Sequence, residues 1–242
     1  MSSNDIANDE TIQFLRRCPT AFISDAFKKL EFDKDNLTTG DPSPLVEFTN
    51  TEDGLLGSAT HIAGPAVTMR FVPATEAAMY TDLEYKHTDI VEHADPGSVI
   101  VIDGQGGPYG FWGKNASLTA INNDLEAVVI DGYTRDTRPV KDSGFPVFAT
   151  GTTMNSYVRQ YDLVGHNEPV NVAGATVHAG DIVVGDNDGV VVIPQTHFDE
   201  ILETVKEIVD LEANMTEWVE EGRGWEEDIY PKVHKHKYTT DE

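Results

Sequence analysis

The chain has 242 residues, 17 basic and 42 acidic, with a formal net charge of −25 and 39% hydrophobic content. That apolar share supports one ordinary core in one domain, while the charge excludes nucleic-acid binding at ordinary salt, because phosphate contacts depend on basic neutralisation. The acid is spread without a single run and lysine is scarce, a pattern that suggests a halophilic surface, since screening in strong salt acts within a few ångströms. Cys18 is the one cysteine, so no intrachain disulfide can form. The start MSSNDIANDE lacks the basic and apolar regions of a signal peptide, and no apolar run approaches the roughly 18 residues that span a bilayer. A cytoplasmic protein without membrane contact is expected.

In chain order, residues 10–30 carry apolar side chains at helical spacing interrupted by Pro19, which predicts two short helices. Ser24-Asp25 is read as a helix start, with a binding role as the alternative. Residues 33–57, rich in Gly and Pro, predict a loop or poorly ordered connection. The segment 61–74, HIAGPAVTMRFVPA, predicts a strand, and Glu76 to His93 a helix before the turn Asp95-Pro96-Gly97. Val99 to Asp103 is a wholly apolar strand ending in acid. The glycines that follow invite a dinucleotide-binding reading, but Gly104, Gly106 and Gly110 make GxGxxxG with Pro108 inside it, and that spacing fails. The better reading is that Gly113 opens a helix to about Asn122 whose first N–H groups, at Lys114, Asn115 and Ala116, are free for an anion.

Ala127 to Asp131 predicts a strand buried on both faces, broken at Gly132, with a loop Tyr133-Thr134-Arg135-Asp136 and a short helix near Pro139 ending before Gly144. Such a strand delivers Arg135 and Asp136 to a loop tip, where chemistry tends to sit in α/β folds. The arginine fork suits a carboxylate, and the aspartate offers hard oxygen to Mg²⁺ or Mn²⁺. The bland alternative makes Asp136 a helix cap and Arg135 a surface ion pair.

Ala149 to Tyr161 reads as loop with a little strand, and residues 170–193 as short strands and turns. The DNDG at 186–189 lacks calcium-loop spacing and reads as a hairpin. Thr196 with Asp199 predicts a capping box, opening a helix of about 25 residues that stops at Gly222 and is long enough to reach a neighbouring subunit. The tail KVHKHKY, 232–238, reads as solvated, since histidines at i and i+2 do not share a helix face.

GPAVTMRFV (64–72), VIVIDGQG (99–106), Gly113, VVIDGYTRD (128–136), FPVFATG (145–151) and GDIVVGDNDGVVVIP (180–194) together resemble the RraA-like family, which joins regulators of ribonuclease E to metal-dependent aldolases of the 4-hydroxy-4-methyl-2-oxoglutarate type. The resemblance covers roughly residues 15–230. It implies a single α/β domain over 1–242: a mixed-sheet α/β sandwich of swivelling-domain topology, core about 58–195, with an N-terminal helical arm at 8–32 and a long C-terminal helix at about 196–221. It also implies a homotrimer or homohexamer. Residue by residue, it matches Arg135 to the arginine that grips the pyruvoyl carboxylate and Asp136 to the aspartate that holds Mg²⁺ or Mn²⁺ through water. Gly113, Lys114, Asn115 and Ala116 match the substrate-binding backbone, and Glu212 a glutamate reaching the metal's water shell from an adjacent subunit. The implied activity is a metal-dependent lyase that cleaves a 4-hydroxy- or 4-carboxy-2-oxo acid to pyruvate, with a non-catalytic regulator of a protein partner as the alternative. Where the aldolases carry an acid after the helix-opening glycine this chain has Lys114, and glycines common at the positions of Asp124 and Ala127 are absent.

Overall fold

The computed structural model describes residues 10–32, 42–45, 62–74 and 86–237, with side chains through Val233. Apolar β-branched runs build its centre. Strands β2 (Ile62–Pro73), β3 (Val99–Trp112), β4 (Ala127–Thr134) and β5 (Val147–Thr152) pair side by side in parallel. Short β1 (Ser43–Pro44) pairs with β5, while β6 (Tyr161–His166) and β9 (Ile182–Gly185) both pair with β2, and β10 (Val190–Ile193) follows β9, all antiparallel. The sheet order is β1-β5-β4-β3-β2-β9-β10, with β6 beside β2, and β7 (Val170–Val172) and β8 (Ala175–Val177) form a separate hairpin.

Side chains alternate across the central strands, so a run apolar at every position must be covered on both faces. Ile100, Ile102, Val128 and Ile130 pack beneath helices α3 (His87–His93), α4 (Lys114–Asn122) and α5 (Thr137–Ser143), through Ile90, Val91, Ala120 and Val140. Val99, Val101, Ala127 and Val129 meet the β7–β8 hairpin instead. A third cluster joins α1 (Glu10–Leu15), α2 (Thr20–Lys29) and the long α6 (Phe198–Glu220) to Val184, Val191 and Ile193. Mixed sheet, helical layers and a long C-terminal helix are therefore as the resemblance implies.

Several local expectations hold for the physical reasons given. Pro19 separates the first two helices, Gly144 and Gly222 take the left-handed conformation just past α5 and α6, and DNDG joins the antiparallel β9 and β10. Asp186 of that turn binds inward, accepting from Thr20 N–H at 2.8 Å, Thr20 Oγ1–H at 2.7 Å and Asp188 N–H at 2.8 Å.

Others are corrected. Strand β3 runs through the glycine-rich segment to Trp112, and β4 continues past Gly132 to Thr134, both with register shifts. Glycine there serves close approach rather than a turn: a Cβ on Gly104 would sit 2.6 Å from the Phe111 ring. These glycines therefore form no phosphate-binding turn. The helix expected from Glu76 starts in the described residues only at His87, because Lys86 is extended at φ −114°; 75–85 lie outside the described residues. Ser24-Asp25 falls inside α2. The capping box does not form, since a 3₁₀ turn at Gln195–His197 leads into α6 with His197 at the cap and no side-chain cap bond. The 33–57 loop contains β1 within the described residues 42–45; the rest of it lies outside the described residues. The tail expected to be solvated is helical as α7 (Tyr230–Lys237), with Val233 buried and Lys232 Nζ 4.2 Å above the Trp218 ring.

One ion pair ties the arm to the sheet. Arg16 donates from Nε and Nη2 to the two oxygens of Glu126, each at 2.8 Å, and Ala63 N–H adds a third bond at 3.2 Å. Burial pushes the Glu126 carboxyl up, with Arg16 and Ala63 opposing. Arg16→Ala leaves that carboxylate buried without its cation and should lower stability by about 2–4 kcal/mol. Urea unfolding of Arg16→Ala and Glu126→Gln checks this, with the glutamine variant expected to lose less; equal stability of Arg16→Ala and wild type would contradict the account.

Candidate active site

Strands β3 and β4 are parallel and end at one level, with Trp112 opposite Thr134. Each then turns into a helix, so the turns Gly113-Lys114 and Arg135-Asp136 lie side by side at the carboxyl ends of the strands, the usual place for a ligand in α/β folds. Arg135 N–H donates to the Trp112 carbonyl at 2.9 Å, and Thr134 Oγ1–H to the same oxygen at 3.2 Å. Glycine makes room for both side chains. A Cβ on Gly110 would come within 3.0 Å of the Arg135 stem, and one on Gly113 within 2.7 Å of Asp136 Oδ2.

Asp136 stands at the N-cap of α5 in the left-handed conformation, φ 55° and ψ 39°, but makes no cap bond there. Its Oδ2 accepts instead from Lys114 N–H, the first residue of α4, at 3.2 Å. The capping alternative is thereby overturned, and the carboxylate is aimed across the gap between the two turns. Arg135 Nε lies 3.8 Å from the same oxygen, and both side chains are 42% exposed. At that distance and exposure the contact contributes little, so the guanidinium fork remains available to an anion.

Gly113, Asn115, Ala116, Arg135 and Asp136 line one cleft of about 170 Å³. A cleft of that volume admits a small acid. Lys114 enters through its backbone N–H alone; its side chain is exposed and outside the cleft lining. Asn115 and Ala116, in the first turn of α4, have N–H groups without intrahelical acceptors. The lining also includes His87 and Thr88 of α3 with Ser156, Tyr157 and Val158. A larger cleft of about 300 Å³ between Lys86, His93 and His166 opens on neither βα turn, so we assign it no chemistry.

Among the described residues no group of three or more His, Cys, Asp or Glu gathers as a metal cage. Asp136 is therefore the one sequence-predicted ligand present in the cleft. That donor set fits Mg²⁺ or Mn²⁺, hard ions that keep water and share substrate oxygens, better than zinc, which wants several nitrogen or sulfur ligands. Glu212 lies on α6, half-buried.

Two groups escaped the sequence reading. Trp112 floors the cleft, its indole N–H given to Ser117 Oγ at 2.8 Å. His87 sits edge-on to it, ring centroids 5.3 Å apart at 86°, and is buried. A lone histidine in a helical pattern carries no signal of this kind; only the tertiary fold brings it to the cleft.

A family description, RraA-like (Aldolase/RraA), matches residues 20–192. The chain belongs to the RraA-like family. Among curated relatives, the "Putative 4-hydroxy-4-methyl-2-oxoglutarate aldolase" of Halalkalibacterium halodurans is 30% identical over 201 residues, 83% of this chain and 84% of that protein. Protein DlpA of Legionella pneumophila is 30% identical over 180 residues, 69% of this chain; the RraA-like chain spans only 28% of DlpA's length. A solved structure of Streptomyces coelicolor RraAS2, described as an unusual member of the RNase ES inhibitor RraA protein family, superposes with a TM-score of 0.68 at 25% identity, covering 89% of this chain and 97% of that one.

Burial pushes the His87 imidazole down from 6.5 to about 4. Below pH 6.5 the unfolded chain takes a proton that the folded chain refuses until about pH 4, so stability falls as pH drops through that window. Between pH 7 and 4.5 the loss should be about 2–3 kcal/mol. Denaturant unfolding of wild type and His87→Phe across that range isolates it: the gap should shift in favour of the phenylalanine as acid is added, and a constant gap would refute the assignment.

Proposed function

We propose that this RraA-like protein is a divalent-metal-dependent carbon–carbon lyase releasing pyruvate from a 4-carboxy- or 4-hydroxy-2-oxo acid. The observation that carries the reading is the shared cleft, where Arg135, Asp136 and the start of α4 converge from two adjacent turns. In this reading the Arg135 fork takes the C1 carboxylate through paired hydrogen bonds. The Asn115 and Ala116 N–H groups, at the positive end of α4, hold the acid's oxygens in place. Asp136, kept in line by the Lys114 N–H, would hold Mg²⁺ or Mn²⁺. When bound, the ion supplies Lewis-acid stabilisation of charge growing on the 2-oxo oxygen.

Decarboxylation is the better fit of the two reactions. In a 2-oxo acid whose C4 is itself the carboxylate carbon, the C3–C4 bond breaks, C4 leaves as CO₂, and the electron pair stays as the enolate of pyruvate until water returns a proton to C3. The positive Arg135 and the α4 amides stabilise that negative charge. No base is required. Retro-aldol cleavage must also remove the 4-hydroxyl proton, and Asp136 is the one carboxylate among the described lining residues. With lysine at position 114, the carboxylate present there in the aldolases is missing. A regulatory role toward a basic protein partner is the second reading, drawn from the net charge of −25.

A coupled lactate dehydrogenase assay over a panel of 4-carboxy- and 4-hydroxy-2-oxo acids, in molar KCl with Mg²⁺ or Mn²⁺, tests this directly. Pyruvate release should be lost on chelation, fall at least about 100-fold in Asp136→Ala, and fall about 10–100-fold in Arg135→Lys, which keeps charge but not the fork. Zero turnover across the panel would favour the regulatory reading.

A further inference from the structure

The cleft lined by Arg135 and Asp136 also holds a polar group without a hydrogen-bond partner in the protein. His87 lines the cleft, is 6% exposed, and its Nε2 is, among the described residues, the one buried side-chain nitrogen or oxygen without a hydrogen-bond partner. Buried polar atoms are nearly always satisfied, so an orphan on a residue that lines a cleft points to a group that arrives with a ligand. The aromatic neighbours fix the ring without answering it. Trp112, Tyr157 and Phe71 stand edge-on at 5.3, 6.1 and 6.4 Å, and the Trp112 N–H is already given to Ser117. Burial keeps the ring uncharged at neutral pH, which leaves one donor and one acceptor. Because no bond at Nε2 commits the proton to either nitrogen, the tautomer can follow the ligand.

We propose that His87 is a specificity-determining residue whose imidazole hydrogen-bonds an oxygen at the far end of the bound 2-oxo acid, beyond the pyruvoyl group held by Arg135, Asp136 and the start of α4. The inference rests on the lyase reading for the nature of the ligand. His87 shares the cleft with the groups assigned to the pyruvoyl end, which leaves the ring for what extends past C3. A site built around such a hydrogen bond favours acids that carry the distal oxygen over pyruvate itself, since pyruvate leaves the imidazole unanswered. That also assists turnover, because the product that remains after cleavage has lost the contact.

Calorimetric titration with Mg²⁺ present separates the possibilities, using pyruvate and 2-oxoglutarate as probes. The second carries a distal carboxylate but has no bond this chemistry cleaves. Wild type should bind 2-oxoglutarate about fivefold to tenfold more tightly than pyruvate. His87→Phe, which preserves ring packing, should abolish that preference while leaving the pyruvate Kd unchanged, and His87→Asn should retain part of it; melting curves establish that each variant is folded. Equal weakening of both ligands would mark His87 as structural and overturn the proposal. So would a preference that survives in His87→Phe, or a wild type that binds the two acids equally; both outcomes leave the lyase reading standing. Absence of binding by either acid to wild type with Mg²⁺ would remove both.

Discussion

The Trp112 carbonyl takes two hydrogen bonds from the neighbouring strand end, one from Arg135 N–H and one from Thr134 Oγ1–H, and the geometry of the cleft depends on that clamp. It holds two βα turns in contact at a point where each strand would otherwise deliver its turn independently. With it in place, Asp136 reaches the first N–H of α4 instead of capping α5. The aspartate accepts a left-handed backbone to do so, a conformation more tolerable for Asp than for most residues. A residue that gives up its own helix cap in an unfavourable conformation is spending stability on position, a usual mark of a site.

Space matters as much as polarity. Gly110 and Gly113 are extended or nearly so in their surroundings and are required for room: any side chain on them would run into Arg135 or Asp136. The arginine stem thus passes over Gly110 and Gly113 at the end of β3, and Trp112 and His87 line the same cleft. Cationic fork, carboxylate, free amides and an uncharged imidazole thus share one cleft.

Much of this was legible in the residues because it follows from short-range rules. VIVID and AVVID, apolar at every position, could only be strands covered on both faces, and Arg135-Asp136 had to emerge at the end of one of them. Asp-Gly between β-branched runs, and glycine just past a helix, specify hairpins and helix ends locally. What was hidden depends on partners far along the chain. Nothing near GQGGPYG announces that it stays in the sheet, since its glycines answer to Phe111, Tyr161 and Arg135. The capping box failed because α6 is entered through a 3₁₀ turn, with Phe32 packed on His197 at 4.7 Å. Lys114 meets Asp136 through its backbone N–H while its exposed side chain is not part of the cleft lining, a distinction no residue type encodes.

The central claim is that one small oxidised acid bridges Arg135 and the start of α4 with a divalent ion beside Asp136. A crystal structure grown with Mg²⁺ and oxalate, an unreactive mimic of the pyruvate enolate, tests it most directly. The account predicts oxalate in the cleft over Trp112, one carboxylate paired with the Arg135 fork, and the ion between oxalate and Asp136 with water completing its shell. Oxalate bound elsewhere, or an ion placed away from Asp136 with the Arg135 fork empty, would contradict it.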